Sequence, residues 1–558
     1  MAFAVIFLFI FLLHLPVLRL PYFWDEAGYY VPAARDILLG GSLIPHTTVS
    51  NAHPPLVMAW LALWWKIVGY TPAVTRTAML ILAAFSLLGV FRLTERASNS
   101  RVAVSATLCT AVYPVFFAQS SLAQVDLVAA GFIFWGLSAY VEDDTFRTVL
   151  WFSLGAMAKE TAILAPLSLA IWEFIGMAVG NDKLPRFWLA YGAVLEQRKY
   201  RSRVALRITT LTLPALPLAL WYAYHYSRTG YVFGNPEFFR YNVAATLSPM
   251  RFLLALLMRI WQTVGYLHLW ILTGATMIAM WMLPPLRDSE GDKETDRPRI
   301  NLAVQMLFYV VVLTYVLAMA AIGGAVLARY MLPVVPLVII LCVSTLWRRV
   351  SFWRTAVVCA AVVFVAGWFL NPPYGFSPED NLAYRDYILL HEDAETFLEA
   401  RYPMAGVLTA WPASDELARP WLGYVLHPMR VVRIEDFSLE EVLSAADYRG
   451  NSDRSNFDCS KFVVALAFST KYEPGPARWD RWGRWTQLKA RFFGFHRDLP
   501  PAAVAQILGG HIVFSETRKS QWIAVIEMDR DGIQNAQTFP QRRTLGAATS
   551  ASNDKNGF

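Results

Sequence analysis

Hydrophobic residues come in long blocks up to about Asn371 and thin out after it. A helix that crosses a hydrocarbon core needs about 20 apolar residues. Runs of that kind lie near 2–20, 72–92, 102–118, 123–141, 204–224, 266–283, 301–322, 330–347 and 355–371. The stretch from Thr148 to Gly180 is too long for one span and is interrupted by "KET" at Lys159. It predicts two helices, the first short, that meet at a charged point. The sum is roughly eleven spans. The two halves match neither in loop length nor in broken helices, which speaks against an inverted-repeat transporter.

Between the first two runs, 21–71 is a loop with two helical patterns of its own. One opens at Asp25 and stops at Gly40 and Gly41, with Tyr30, Ala34, Ile37 and Leu38 as its membrane-facing stripe. The other follows His53-Pro54-Pro55, prolines being tolerated in a first helical turn. Residues 372–530 pattern as a soluble α/β domain. "NLAYRDYILLHEDAETFLEARYP" is helical, "AGVLTAW" and "KFVVALAF" are buried strands, and "HIVFSET" with "QWIAVIEM" closes a sheet. "SLEEVLSAAD" opens on a capping box. The polar tail, 531–558, has the composition of a disordered segment. The fold class is therefore a polytopic α-helical membrane domain, 1–371, followed by a soluble α/β domain.

Composition agrees. Of 558 residues, 56% are hydrophobic and only 16% charged, against about 25% in soluble domains. The net charge of +7 would suggest nucleic acid only if it clustered on a soluble surface. Here it sits largely in short loops between apolar runs, as a topology signal and a contact for membrane lipids. Nucleic acid is excluded as a partner. With the N-terminus cytoplasmic, the inner loops hold Arg92, Arg96, Arg101, Arg147, Lys183, Arg186, Arg198, Lys199, Arg287, Lys293, Arg348 and Arg349, and the outer loops hold far fewer basic residues. That bias puts the 21–71 loop, the KET point and the C-terminal domain on the non-cytoplasmic side of a plasma or inner membrane. The four cysteines show neither a disulfide framework nor metal spacing.

The residues able to do chemistry converge on that outer face. Asp25 and Glu26 follow the first span among aromatics, where partial desolvation makes a carboxylate a better base. Capping explains one carboxylate there, not two. His53 is stiffened by the prolines after it. Asp126 stands near the outer end of a span, where an acid faces the protein interior or a wet cavity. Lys159 and Glu160 interrupt apolar sequence, as a structural pair or as a contact for an anionic substrate. Arg329 and Tyr330 stand where the last outer loop re-enters the membrane, and an arginine fork suits phosphate. Arg240, with Arg228 and His268, is a weaker member of the set.

The order of these features, "DE" directly after the first span, "HPPL" at His53, a charged break at Lys159 and "RYMLP" at Arg329, resembles the GT-C membrane glycosyltransferases. The nearest patterns are the dolichyl-phosphate-mannose protein mannosyltransferases and the aminoarabinose transferases. The resemblance covers about 1–371. It implies a polyprenyl-phosphate-linked sugar donor, a protein, glycolipid or polysaccharide acceptor, and an inverting transfer. Asp25 would be the base, with Glu26 beside it, and His53, Asp126, Lys159, Glu160, Arg240, Arg329 and Tyr330 would bind substrate or phosphate. No cofactor is identified with certainty, because no ligand cluster has a diagnostic spacing, and a divalent cation is the one candidate. Ala52 and His53 stand where the aminoarabinose transferases carry an acidic residue and a lysine, and Val57 and Met58 replace the Gly-Lys that follows HPPL in the mannosyltransferases. The other class to weigh is a transporter or flippase for a lipid-linked substrate, which does not account for the acidic loop or the soluble domain.

Overall fold

The computed structural model describes residues 1–179, 197–234, 248–290, 293–322, 324–450, 462–472, 483–493 and 498–529. Arg240 and the tail 531–558 lie outside the described residues. The chain divides into two compact units. One comprises Met1–Leu389 with Tyr472–Phe495, and the other Leu390–Lys471 with His496–Phe558.

The first unit is helical. Helices α1 (Ala2–His14), α2 (Val31–Gly40), α3 (Leu56–Val68), α4 (Pro72–Ala97), α5 (Ser100–Val112), α6 (Pro114–Gln119), α7 (Asp126–Val141), α8 (Thr145–Ala158) and α9 (Leu164–Val179) follow one another in its N-terminal half. Among the described residues, five helical stretches are long and apolar enough to cross a membrane: Pro72–Ala97, Glu160–Ala178, Ser202–Thr229, Pro249–Met282 and Leu302–Ile322. Shorter apolar helices, among them α1, α5, α7 and Trp353–Phe369, accompany them. A lipid interior leaves no water for backbone groups, so helices are the natural solution for such sequence. Leu220, Met277, Trp281 and Val362 are exposed on their outer sides, as a lipid-facing surface requires.

Local sequence sets the helix ends. Thr71 and Asn99 cap α4 and α5 by accepting from the Val74 and Val102 amides. The "KET" interruption is a real break: α8 ends at Ala158, Lys159 is extended, and Glu160–Ile163 forms a single 3-10 turn before α9. Small residues bring the helices carrying the site together. A Cβ on Gly131 of α7 would stand 1.9 Å from Ser86 Oγ of α4, and one on Gly136 would meet the Phe152 ring of α8 at 2.7 Å.

Two expectations change here. The stripe on α2 does not face lipid as a whole, because Tyr30 and Ala34 are buried in protein at 4% and 0% exposure. The helix Pro249–Val264 has no counterpart among the expected spans, since its buried Arg251, Arg259 and Gln262 dilute the apolar signal.

The second unit is built on a five-stranded sheet of order β4-β3-β5-β7-β6. Strands β3 (Gly406–Ala410), β4 (Arg430–Ile434) and β5 (Val464–Phe468) are parallel, whereas β6 (Gly510–Arg518) and β7 (Gln521–Met528) form an antiparallel hairpin beside β5. The remaining pair, β1 (Arg287–Glu290) and β2 (Lys293–Asp296), is a hairpin of the first unit. Every residue of β3 and β5 is buried, which is why both read as unbroken apolar runs. The hairpin turns at Lys519 and Ser520, both at positive φ. The capping box at Ser438 is only half made. Glu441 N–H donates to Ser438 Oγ at 3.5 Å, but the Ser438 amide turns to Asp436 instead of Glu441.

Candidate active site

Asp25 heads a π-helical turn, Glu26–Tyr30, that leads into α2, and its side chain makes no capping bond to that turn. It reaches instead to Arg329, Nη2 donating to Oδ2. Trp24, just before it, is held at φ 46, and Ala52, just before His53, at φ 59. A non-glycine residue there costs on the order of 1–3 kcal/mol and persists only where its surroundings impose it. At Ala52 one such restraint is visible: the carbonyl accepts from Trp221 Nε1 at 2.9 Å.

Glu26 is fully buried and its oxygens are spoken for. Arg76 of α4 grips both of them at 2.7 and 3.0 Å, and the amides of Phe23 and Ala123 donate at 2.9 and 2.5 Å. Arg76 also donates to the Pro21 and Ser121 carbonyls. The Glu26–Arg76 pair thus ties the loop after α1 to α4 and to the loop before α7.

Arg329 lies on a 3-10 turn, Ala328–Met331, and is 3% exposed. Besides Asp25 it donates to Glu379 and, at 2.8 Å, to Gln124 Oε1, and its Nε lies 3.3 Å from Asp126 Oδ2. Asp126, first residue of α7, receives Lys159 Nζ at 2.5 Å. Lys159 stands 4.1 Å from the centre of the Tyr330 ring, over which Arg259 and Arg329 also lie. His53 Nδ1 hydrogen-bonds Glu160 Oε2 at 2.9 Å, with its ring beside Tyr29 and Tyr30.

Asp25, His53, Asp126, Lys159, Glu160, Arg329 and Tyr330 therefore lie in one connected cluster, Glu26 supports it from behind, and Arg228 and His268 make no contact with it among the described residues. Glu379, Gln124, Arg76 and Asp380 went unread. Their only sequence signal is a second acidic pair, Glu379-Asp380, and an arginine inside an apolar run. Burial pushes Glu379 above the ordinary carboxylate range, Arg329 pulling it the other way. Burial, reinforced by Glu379, pushes Asp380 up to about 7, and Tyr266 OH donates to it at 2.6 Å.

Exposure separates two layers. The side chains of Asp126, Lys159, Arg329 and Glu379 are 4–7% exposed, whereas Asp25 and Glu160 keep 32% and 26%. The buried residues hold the outer ones, and Asp25 and Glu160 are the most open groups of the cluster. His53 and Glu160 are the pair here that could hold a cation. Among the described residues no third His, Cys, Asp or Glu completes a ligand set with them.

Comparison with known proteins bears on this arrangement. A model of the dolichyl-phosphate-mannose-protein mannosyltransferase family matches residues 52–195. No curated protein is similar to the chain in sequence. Among solved structures, ArnT from Cupriavidus metallidurans bound to undecaprenyl phosphate aligns over 94% of this chain and 97% of its own, at 13% identity and a TM-score of 0.51. The same protein in the apo state aligns over the same shares at 14% identity and 0.51. The Archaeoglobus fulgidus oligosaccharyltransferase aligns with a TM-score of 0.45 at 13% identity, over 94% of this chain and 73% of its own. The chain is thus a multi-pass membrane protein with the GT-C glycosyltransferase fold, and 52–195 within it match the mannosyltransferase family model.

Proposed function

We propose that this protein transfers a sugar from a polyprenyl-phosphate carrier to an acceptor hydroxyl at the non-cytoplasmic face of the membrane, with inversion, and that Asp25 is the base. One observation carries the assignment of Asp25. Of the three carboxylates gathered on Arg329, it alone has an open face, the other two being 4% exposed. The matched family is named for a dolichyl-phosphate sugar, and ArnT was solved bound to undecaprenyl phosphate; both support a carrier of this type here.

A carboxylate is far too weak to ionise an alcohol beforehand, so proton transfer accompanies bond formation. As the acceptor oxygen bonds to the anomeric carbon, its proton passes to Asp25, and the bond from that carbon to the phosphate oxygen breaks. The electron pair leaves with the lipid phosphate, already a stable anion, so no general acid is needed. What helps is fixed positive potential in a dry site. Lys159 and Arg329 supply it, and their acidic partners keep them from rearranging during the step. Glu26 holds the loop and takes no proton. A divalent cation, if used, would sit on His53 and Glu160 with further oxygens from water or donor, and would add positive charge beside the phosphate.

The test uses purified protein and a radiolabelled polyprenyl-phosphate sugar. Asp25→Asn should lower the rate of sugar release or transfer by roughly 10²–10⁴ without changing thermal stability by much. A rate unchanged in that variant removes Asp25 as the base. Transbilayer movement of the donor that is equal in wild type and variant, without any transfer, would replace the enzyme with a flippase.

A further inference from the structure

Outside the site just described, one buried cluster in the second unit has no part in the proposed reaction. His391 and Glu395 stand one helical turn apart on the helix Ala383–Arg401, and Glu416 lies on the short helix Ala413–Ala418 directly after β3. All three are buried, at 1%, 0% and 0% exposure. His391 Nδ1 lies 2.7 Å from Glu416 Oε2 and 3.6 Å from Glu395 Oε1. One donor atom from each residue falls within 4.8 Å of the other two.

The charge in this cluster is not balanced among the described residues. Neither glutamate has a salt bridge to a described lysine or arginine. With both carboxylates ionised, the triad carries −1 even with the imidazole protonated. Both oxygens of Glu395 and Oε1 of Glu416 are buried and have no hydrogen-bond partner. Leaving a buried ionised carboxylate without partners is strongly unfavourable, and the neighbouring Phe468 ring, 4.7 Å from that of His391, offers no donor.

We propose that His391, Glu395 and Glu416 form a binding site for a divalent transition metal of the zinc type in the α/β unit. One imidazole and two carboxylates are a donor set that zinc accepts. Donor atoms around a tetrahedral zinc stand about 3.3 Å apart, so the observed spacings need only small side-chain adjustments. The location suits a ligand as well. The cluster sits at the carboxyl ends of β3 and β5, where the connections leave to opposite sides of the sheet, since β4 flanks β3 on one side and β5 on the other. Open α/β sheets bind ligands at such points. With three protein ligands and full burial, the ion would hold the helix end, β3 and the helix after it in one arrangement, and its binding energy would become folding energy.

The experiment uses full-length protein in detergent, stripped with a chelator and then reloaded with zinc or cobalt. Metal content of wild type should exceed that of Glu395→Gln by one equivalent, and zinc should raise the melting temperature of wild type by more than that of the variant. Ion held at His53 and Glu160 stays in both proteins and cancels from the difference. Should Glu395→Gln not fold, His391→Cys decides: loaded with cobalt, it should show a thiolate-to-cobalt charge-transfer band absent from wild type. Equal metal content in wild type and Glu395→Gln overturns the site, as does a cobalt-loaded His391→Cys without the band. Either result would leave the two glutamates sharing a proton.

Discussion

Side by side in the chain, Asp25 keeps 32% of its side chain open while Glu26 keeps none. The difference decides what each substitution should do. Arg76→Met leaves the Glu26 charge buried and unpaired, which should cost about 3–5 kcal/mol of stability. Glu26→Gln/Arg76→Met should recover part of that loss, and unfolding in detergent reads both. Asp380 offers a pH test. Its ordinary value of 3.8 is raised to about 7 in the folded protein, so folding favours its protonated form. The stability it contributes is complete below its unfolded value and is lost as pH rises through about 7. Asp380→Asn should flatten the decline of melting temperature between about pH 4 and about pH 8; an identical slope in the variant would show that Asp380 is not the titrating group. Asp25, Lys159 and Arg329 were legible because a charge among apolar residues at a membrane edge is conspicuous by itself. Glu379 was not, because its importance lies in meeting Arg329, 50 positions away, and nothing local announces that meeting.

At the scale of elements, apolar run length located most of the spans, and the break at Lys159 was visible as charge inside an apolar stretch. The helix Pro249–Val264 escaped because arginines that are buried among carbonyls look, in sequence, like a loop. Arg259, for example, donates to the Leu327 and Ala325 carbonyls. Strand β4 was missed for a related reason: its burial alternates only weakly and two of its five residues are arginine. Close helix approach was also unreadable, since Gly131 matters only because Ser86 is opposite. Gly131→Ala should push α4 from α7 and cost about 1–3 kcal/mol. Adding Ser86→Gly should restore most of it, because Ser86 Oγ and Cβ are the nearest atoms at 1.9 and 2.7 Å. Failure of the second change to compensate would mean that the helices are not held at this crossing.

For the molecule as a whole, the distribution of basic loops predicts a non-cytoplasmic second unit. A cysteine in place of Leu426, 81% exposed in the second unit, should react with a membrane-impermeant maleimide added to intact spheroplasts, with the unsubstituted protein as the background. Labelling only after lysis would reverse the orientation and move the reaction to the cytoplasmic face. The division into two units was legible as a change in composition, although the first unit extends beyond the apolar sequence to Leu389 and takes in Tyr472–Phe495. That extension contains Glu379, so the soluble-looking segment after the last apolar run contributes to the cluster around Arg329.

The hub at Arg329 has a consequence for how the protein is made. It joins Asp25, 304 positions earlier, to Glu379, 50 positions later. A chain emerging from the ribosome places its proposed base in the membrane long before the residues that position it exist. Until Glu379 has been synthesised and folded back, Arg329 lacks one of the carboxylates that hold it beside Asp25. If Asp25 is the base as proposed, incomplete chains lack the contacts that position it, and competence comes only with the end of assembly.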